Sequence, residues 1–363
     1  MISGEATILQ VDFANVALMS VFAWSEVLNS LIAGRDLDRA VSRAAMAEVM
    51  AGRATSAQIA AFIVSIRAKG ETADEMTGMV EAMLDAAVAI DIEGQVVDSV
   101  GTGGDGIGTF NISTTAALIA AGAGAQVAKH GNRAASSQTG SADVLEALGF
   151  RIDLEPKATA AMVKEVGFGF LFAPLYHPAM RHAGPVRSDL GVRTVFNFLG
   201  PLANPAKVKR QAVGVSDSTM ALKMISVLDR LGSEKAFVFY GEDGLDELST
   251  TAPSSVYRLE DGEITHSRHT PENFGVSRAT LDDLTGGDAL QNAEITWAIL
   301  RGEKGSRRDI SLVNAAPTII VAGLAGSFAE AMDLGAESID SGDALVSLEK
   351  AIEMSRDLAD SSN

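Results

Sequence analysis

The chain has 363 residues, 47% hydrophobic and 21% charged, which gives enough apolar material for one large domain or two ordinary ones and no case for disorder. It contains no cysteine, so disulfides, thiol catalysis and zinc–thiolate sites are excluded. Lys and Arg number 29 against 47 Asp and Glu, and the resulting net charge of −18 argues against nonspecific binding to nucleic acid or to an anionic membrane.

Residues 7–24 are apolar, yet no Lys or Arg precedes Arg35, and Asp12 and Asn15 interrupt the run. This pattern is poor for a secretory signal or a membrane span. The expectation is a cytoplasmic protein with an N-terminal extension over 1–23, of which residues 1–18 are dispensable and Met19 an alternative start. Helical spacing then recurs over 25–33, 38–50, 57–68 and 74–88. Gly70 is a stop signal, and Thr72 with Glu75 fits a capping box. No strand-like run interrupts this small helical layer.

The period changes near Val96. A strand over 96–100 runs into the Gly-rich segment 101–108, followed by a helix over 114–121, a strand over 125–129 and a helix over 141–148 ending at Gly149. Further strands are predicted at 168–173, 211–216 and 236–240, with helices at 219–231, 308–329 and 342–358. A hairpin is predicted over 255–266 around Asp261-Gly262. This alternation predicts an α/β fold: a small N-terminal helical domain, then a larger domain with a central, mostly parallel sheet flanked by helices. Gly200, Pro201, Asn204 and Pro205 mark a crossing between regions.

Three loops after predicted strands carry candidate chemistry. Gly101-Thr102-Gly103-Gly104-Asp105-Gly106 lets the backbone approach a ligand closely, and Asn111-Ile112-Ser113-Thr114 then opens a helix whose free N–H groups suit a phosphate or pyrophosphate. The alternative is a Gly-rich turn with ordinary caps. Neither common nucleotide fingerprint fits. Lys129 to Ser137 follows the next strand, so its Lys, Asn, Arg and Ser donors gather at the same sheet edge, unless it is a polar surface loop. Lysine offers a mobile positive charge there, and Ser141 offers another donor. Asp243-Gly244-Leu245-Asp246-Glu247 follows a third strand. Acidic turns are common, but beside a phosphate loop this one suits Mg²⁺. Arg187 can grip a carboxylate with two parallel hydrogen bonds. His182, His266 and His269 show no metal-ligand spacing.

Together GTGGDG at 101–106, TFNIST at 109–114, KHGNRA at 129–134, SSQTGSADVLEALG at 136–149, FAPLYHPAM at 172–180, GVRTVFNFLGPLANPA at 191–206 and DGLDELS at 243–249 resemble the anthranilate phosphoribosyltransferase family. The resemblance covers nearly everything from about residue 24 onward. It implies a discontinuous helical domain, 24–93 with 187–204 returning to it, beside a large domain over 94–186 and 205–363, and a homodimer. It implies phosphoribosyl pyrophosphate (PRPP) at Gly101, Gly104, Asp105, Thr109, Asn111, Ile112, Ser113, Thr114, Lys129, His130, Gly131, Asn132, Arg133, Ala134, Ala135, Ser136, Ser137 and Ser141. It implies anthranilate at Gly101, Asn132, His177 and Arg187, and Mg²⁺, two ions with PRPP, at Ser113, Asp246 and Glu247. Lys129, Arg187 and His177 are the expected catalytic residues.

The implied reaction is transfer of the phosphoribosyl group of PRPP to the amine of anthranilate, with release of pyrophosphate, in tryptophan biosynthesis. The rivals are a nucleoside phosphorylase of the same fold and a noncatalytic relative that binds nucleic acid. The acidic turn and the intact KHGNRA segment weigh against the first, the charge of −18 against the second.

Overall fold

The structure is a computed structural model that describes residues 22–134 and 138–361. The predicted extension therefore lies almost wholly outside the described residues, as do Ala135, Ser136 and Ser137. The described chain opens on four helices: α1 (Trp24–Ile32), α2 (Arg39–Met50), α3 (Ser56–Lys69) and α4 (Ala73–Asp85). The hydroxyls of Thr55 and Thr72 accept the N3 N–H groups of α3 and α4, and Gln58 and Glu75 reach back to the cap N–H. These reciprocal caps satisfy donors that the first helical turn cannot.

Strands β1 (Val96–Gly101), β2 (Gln126–Gly131), β3 (Phe168–Phe172), β4 (Arg210–Gly214), β5 (Lys235–Gly241), β6 (Ser254–Glu260) and β7 (Glu263–His269) form one sheet in the order β3-β2-β1-β4-β5-β6-β7. The first five run parallel, and β6 and β7 extend the sheet antiparallel. Asp261 and Gly262, at φ 52 and 76, make the tight turn predicted for the hairpin. Around the sheet lie α5 (Ile112–Gly122), α6 (Ser141–Leu148), α7 (Pro156–Val166), α8 (Ala173–Tyr176), α9 (Gly184–Leu190), α10 (Phe196–Leu199), α11 (Ser218–Arg230), α12 (Ala289–Leu300), α13 (Ser306–Val321), α14 (Phe328–Asp340) and α15 (Asp343–Ser361).

The period of two along the strands divides the core. Ala212, Phe237 and Phe239 pack with α5 and α13, whereas Val213, Ala236 and Val238 pack on the opposite face with α11 and the N-terminal helices. Val195, Phe196, Phe198 and Leu199 join that second cluster, so the segment around α10 packs with α1–α4 although it follows β3 in the chain.

Two features differ from the sequence reading. The helix predicted over 308–329 ends earlier, as α13, at Val321, near Gly323, whose φ of 79 an ordinary residue rarely adopts, and α14, beginning at Phe328, was largely not predicted. Helices α7 and α12 were not predicted, although Pro156 at the first position and Gly167 at the C-cap of α7 are ordinary boundary signals.

Candidate functional site

Parallel strands deliver their C-terminal ends to one edge, and ligands favour the crevice where successive connections leave in opposite directions. Here that point lies between β1 and β4. The Gly-rich loop leaves β1 at Gly101, the 131–140 loop leaves β2, and the acidic turn leaves β5. The three sequence-predicted loops therefore share one cleft edge.

The Gly-rich loop is tied to the acidic turn. A Cβ on Gly101 would stand 2.5 Å from Asp246 Oδ2, and the Gly103 N–H donates to that oxygen at 2.6 Å. Gly103 and Gly104 take φ of 65 and 73 and are exposed. Asp105 accepts the Ile107 N–H at 3.1 Å. Thr109 bridges antiparallel to Thr285, which backs the loop. The acidic turn is anchored from beneath. Asp243 accepts the Ser249 hydroxyl at 2.7 Å and the Thr251 hydroxyl as well. Asn314 of α13 takes the Leu248 N–H at 2.7 Å and donates to the Leu248 carbonyl at 3.0 Å.

The turn presents its carboxylates at an electrostatic cost. Burial, then the charge of Asp105, pushes the Asp246 carboxyl up to about 6. Burial and the adjacent Asp246 push Glu247 well above the usual range, against the pull of Lys129 and the Ser113 N–H. Among the described residues no group of three or more His, Cys, Asp or Glu side chains forms a ready-made metal cage. Two adjacent carboxylates beside a helix N-terminus nevertheless fit Mg²⁺, which keeps several waters and takes substrate oxygens to complete its shell. Ser113 stands in the first turn of α5, whose N-cap Asn111 makes no side-chain capping bond. Thr114 beside it is buried with an unpartnered hydroxyl.

Lys129 is not the mobile charge expected of a lysine. Only 2% exposed, it donates to the Ser99 carbonyl at 2.5 Å and to Ser113 Oγ at 3.5 Å. Burial lowers its pKa, while Asp98, Glu247 and Asp246 raise it. It is a fixed cation beneath the helix start and the acidic turn. Asp98, wholly buried and raised to about 6 by burial, accepts the His130 N–H at 3.1 Å. His130 is held neutral by burial and by His177, its pKa near 3, and the two rings lie 5.2 Å apart. His177 Nε2 lies 2.9 Å from the Ala203 carbonyl and must donate to it, which leaves Nδ1 as an acceptor. Burial lowers the pKa of His177 too.

Arg187 of α9 is the opposite case to the acidic turn. It is half-buried, its pKa is lowered by desolvation, and its guanidinium's described partner is the Phe196 ring, 5.2 Å from the guanidinium carbon. No carboxylate pairs with it among the described residues.

Other predicted residues support the cleft more than they face it. Ile112 is 1% exposed and its side chain belongs to the core, so only its backbone can serve a ligand. Asn111 is committed to the Thr139 carbonyl and to Asn292. Arg133 turns its side chain onto Asp143 and Glu146 and over the Phe172 ring. The Asn132 and Ala134 backbones are held by Ala142, Ser141 and Asp143. Gly131 is required by packing, since a Cβ there would meet Ser141 Oγ at 2.3 Å. Sequence reasoning missed Asn314, Asn292, Ser216 and Arg193. Each sits in an ordinary helix or loop context, and only the tertiary fold brings it to the cleft.

Two family models together match most of the chain: the helical bundle domain of a glycosyl transferase family over residues 25–87, and its a/b domain over 93–345. An anthranilate phosphoribosyltransferase from Parvibaculum lavamentivorans is 48% identical over 326 residues, 90% of this chain and 96% of that protein. The crystal structure of anthranilate phosphoribosyltransferase from Thermus thermophilus superposes with a TM-score of 0.86 at 41% identity, covering 91% of this chain and 99% of that one. The Saccharomyces cerevisiae anthranilate phosphoribosyltransferase in complex with PRPP and Mg superposes with a TM-score of 0.85 at 26% identity, covering 92% and 98%.

Proposed function

The chain belongs to the anthranilate phosphoribosyltransferase family, and from that premise we propose that the cleft at the ends of β1, β2 and β5 transfers the phosphoribosyl group of PRPP to the amine of anthranilate. The observation that carries the assignment of roles is the opposed charge deficit of the cleft. Asp246 and Glu247 stand buried with raised pKa values, and Arg187 stands half-buried with no acid partner among the described residues.

In this reading the pyrophosphate of PRPP lies at the N-terminus of α5 and along the Gly-rich loop. Peptide N–H groups there meet the charge that grows as the C1′–oxygen bond breaks. Asp246, Glu247 and Ser113 would hold Mg²⁺, two ions with PRPP, and the metal would supply neutralisation of the pyrophosphate charge. A homologue carries PRPP and Mg in its structure. Lys129, fixed beneath, holds Ser113 in place and offsets the Asp98 and Glu247 charges. Arg187 takes the anthranilate carboxylate and turns the amine toward C1′. The bond from nitrogen to C1′ forms as pyrophosphate leaves, and the amine proton passes to the substrate's own ortho-carboxylate. His177, tethered to Ala203 and neutral, is a shaping wall of that pocket and presents Nδ1. Positioning of two bound reactants then supplies much of the acceleration.

The segment 187–204 belongs with the helical domain on this reading, and the molecule works as a homodimer in the cytoplasm. Among the described residues no helix is long and apolar enough to cross a membrane. The test follows anthranilate fluorescence and pyrophosphate release with PRPP and Mg²⁺ each present or omitted. Consumption that needs all three components is expected. Consumption without PRPP, or none with all three, rejects the assignment.

A further inference from the structure

Arg193 lies between α9 and α10, in the segment that packs with the helical domain, yet it reaches the Gly-rich loop of the other domain. Its Nη1 donates to the Gly104 carbonyl at 3.2 Å and its Nη2 to the Gly103 carbonyl at 3.4 Å and to Ser216 Oγ at 2.8 Å. Ser216 Oγ in turn donates to the Gly103 carbonyl at 3.0 Å. The guanidinium lies 5.3 Å from the Phe198 ring centroid, and the Arg67 guanidinium lies 5.1 Å from the same centroid. Arg67 is neutralised by Glu71 and by Asp217, the residue after Ser216. Arg193 has no carboxylate among the described residues, and its Nε is buried without a partner.

The consequence follows from peptide geometry. A trans peptide points its C=O and the next N–H in opposite directions, and no described bond is cis. A fork that holds the carbonyls of residues 103 and 104 on its own side turns the N–H groups of Gly104 and Asp105 to the far side. No described acceptor takes those two N–H groups. Left free, flexible glycines would as readily show an anion their carbonyls, which repel it.

We propose that Arg193 is a positioning residue for PRPP. It orients the Gly104 and Asp105 N–H groups toward the pyrophosphate and ties that orientation to the helical domain through Phe198 and Arg67. The inference rests on the reading that PRPP occupies this loop. Its terminal nitrogens already donate to the Gly103 and Gly104 carbonyls and to Ser216, so its role is to hold the loop rather than to bind the ligand directly. A lysine cannot replace it: one ammonium does not span two carbonyls in a planar fork.

The test compares wild type, Arg193→Ala, Arg193→Lys and Ser216→Ala in three measurements. These are steady-state KM for each substrate, calorimetric binding of PRPP with Mg²⁺, and hydrogen exchange over 101–110 in the unliganded protein. Arg193→Ala should raise the KM and Kd for PRPP about tenfold or more, with the anthranilate KM within about twofold, and should speed exchange in the loop. Arg193→Lys should recover only part of this, and Ser216→Ala should show the same PRPP-only signature more weakly. If Arg193→Ala does not fold, the lysine and Ser216 variants decide. Unchanged PRPP affinity in the variants, an equal rise in both KM values, or unchanged loop exchange overturns the proposal. A wild-type protein that binds PRPP but does not consume anthranilate sinks the reading of the activity and leaves the clamp standing if binding still weakens in Arg193→Ala.

Discussion

The two sides of the cleft are incomplete in opposite senses. Around β1 and β5, Asp105, Asp246 and Glu247 crowd together, and burial holds Asp246 and Glu247 above the ordinary carboxylate range. Arg187 on α9, by contrast, is a half-buried cation with a ring and no acid beside it among the described residues. A structural ion-pair network would have joined such charges to each other, since an unpaired buried charge costs several kcal/mol. On the proposed function the acidic turn serves the cation carried by PRPP and Arg187 serves the anthranilate carboxylate, so substitutions at the two places should separate the two substrates.

The largest effect should come from the acidic side. Asp246→Asn with Glu247→Gln is expected to cut the maximal rate about 100-fold or more and to raise the Mg²⁺ concentration for half-maximal turnover. The metal-free fold should survive or gain stability, because two buried like charges are removed. A Mg²⁺ titration of both proteins reads this directly. An unchanged metal requirement with an altered pH profile would assign the pair to proton transfer and break the comparison. Next in size, Arg187→Ala should raise the anthranilate KM by a factor matching about 1.5–3 kcal/mol, the range for a hydrogen bond to a charged group, with PRPP binding little changed. Equal damage to both substrates in a folded variant would show that Arg187 serves the packing of α9 on α3.

The same strain sets a pH dependence. Asp98 and Asp246 have folded pKa values near 6, above their ordinary value, and Glu247 is raised too. Between about pH 4 and 6 these carboxyls hold more protons in the folded protein than in the unfolded chain, so they make stability fall as pH rises through that window. Buried His130 and His177, whose pKa values are lowered, act in the opposite sense below about pH 6.5, so the carboxyls' own contribution without Mg²⁺, on the order of 1–3 kcal/mol, is read as the difference in pH dependence between wild type and the Asp246→Asn, Glu247→Gln variant. Relative to wild type, the variant should lose the fall in stability with rising pH that Asp246 and Glu247 supply, while the contributions of Asp98 and of the two histidines remain. An identical slope in both proteins would mean that the turn is not strained.

The sheet and the three loops were legible because local signals and burial agree there. Glycines at Gly101, Gly103 and Gly104 mark a turn, alternation marks the strands, and parallel strands must deliver their ends to one edge. The fixed place of Lys129 was not legible, since nothing local distinguishes a lysine that will be buried from one that will be free. Asn314 and Arg193 escaped for a related reason. Asn314 lies mid-helix, 66 residues from the Leu248 backbone it clamps, and Arg193 lies 89 residues from Gly104. Their partners are set by how helices seat on the sheet, which sequence spacing does not encode. The break between α13 and α14 was missed because apolar residues continue through it.

The smallest effect sharpens the contrast between two arginines. Arg133 belongs to the KHGNRA segment and by resemblance alone would grip PRPP. Yet it is exposed, with Asp143 and Glu146 already on its guanidinium and the Phe172 ring beneath. Its partners raise its pKa further, so its charge is satisfied before any ligand arrives. Exposed pairs of this kind contribute about 0–1 kcal/mol. Arg133→Ala should therefore lower stability by no more than about 1 kcal/mol and move either KM less than about threefold. Asp143→Ala should do more, because that carboxylate also holds the N–H groups of Ala134 and Gly140 and so fixes the loop backbone. Steady-state kinetics and melting curves of the two variants, set beside Arg187→Ala, give the ranking. A PRPP-specific loss in Arg133→Ala as large as the anthranilate loss in Arg187→Ala would show that Arg133 leaves its carboxylates when substrate binds, and that the cleft completes its charges by rearrangement.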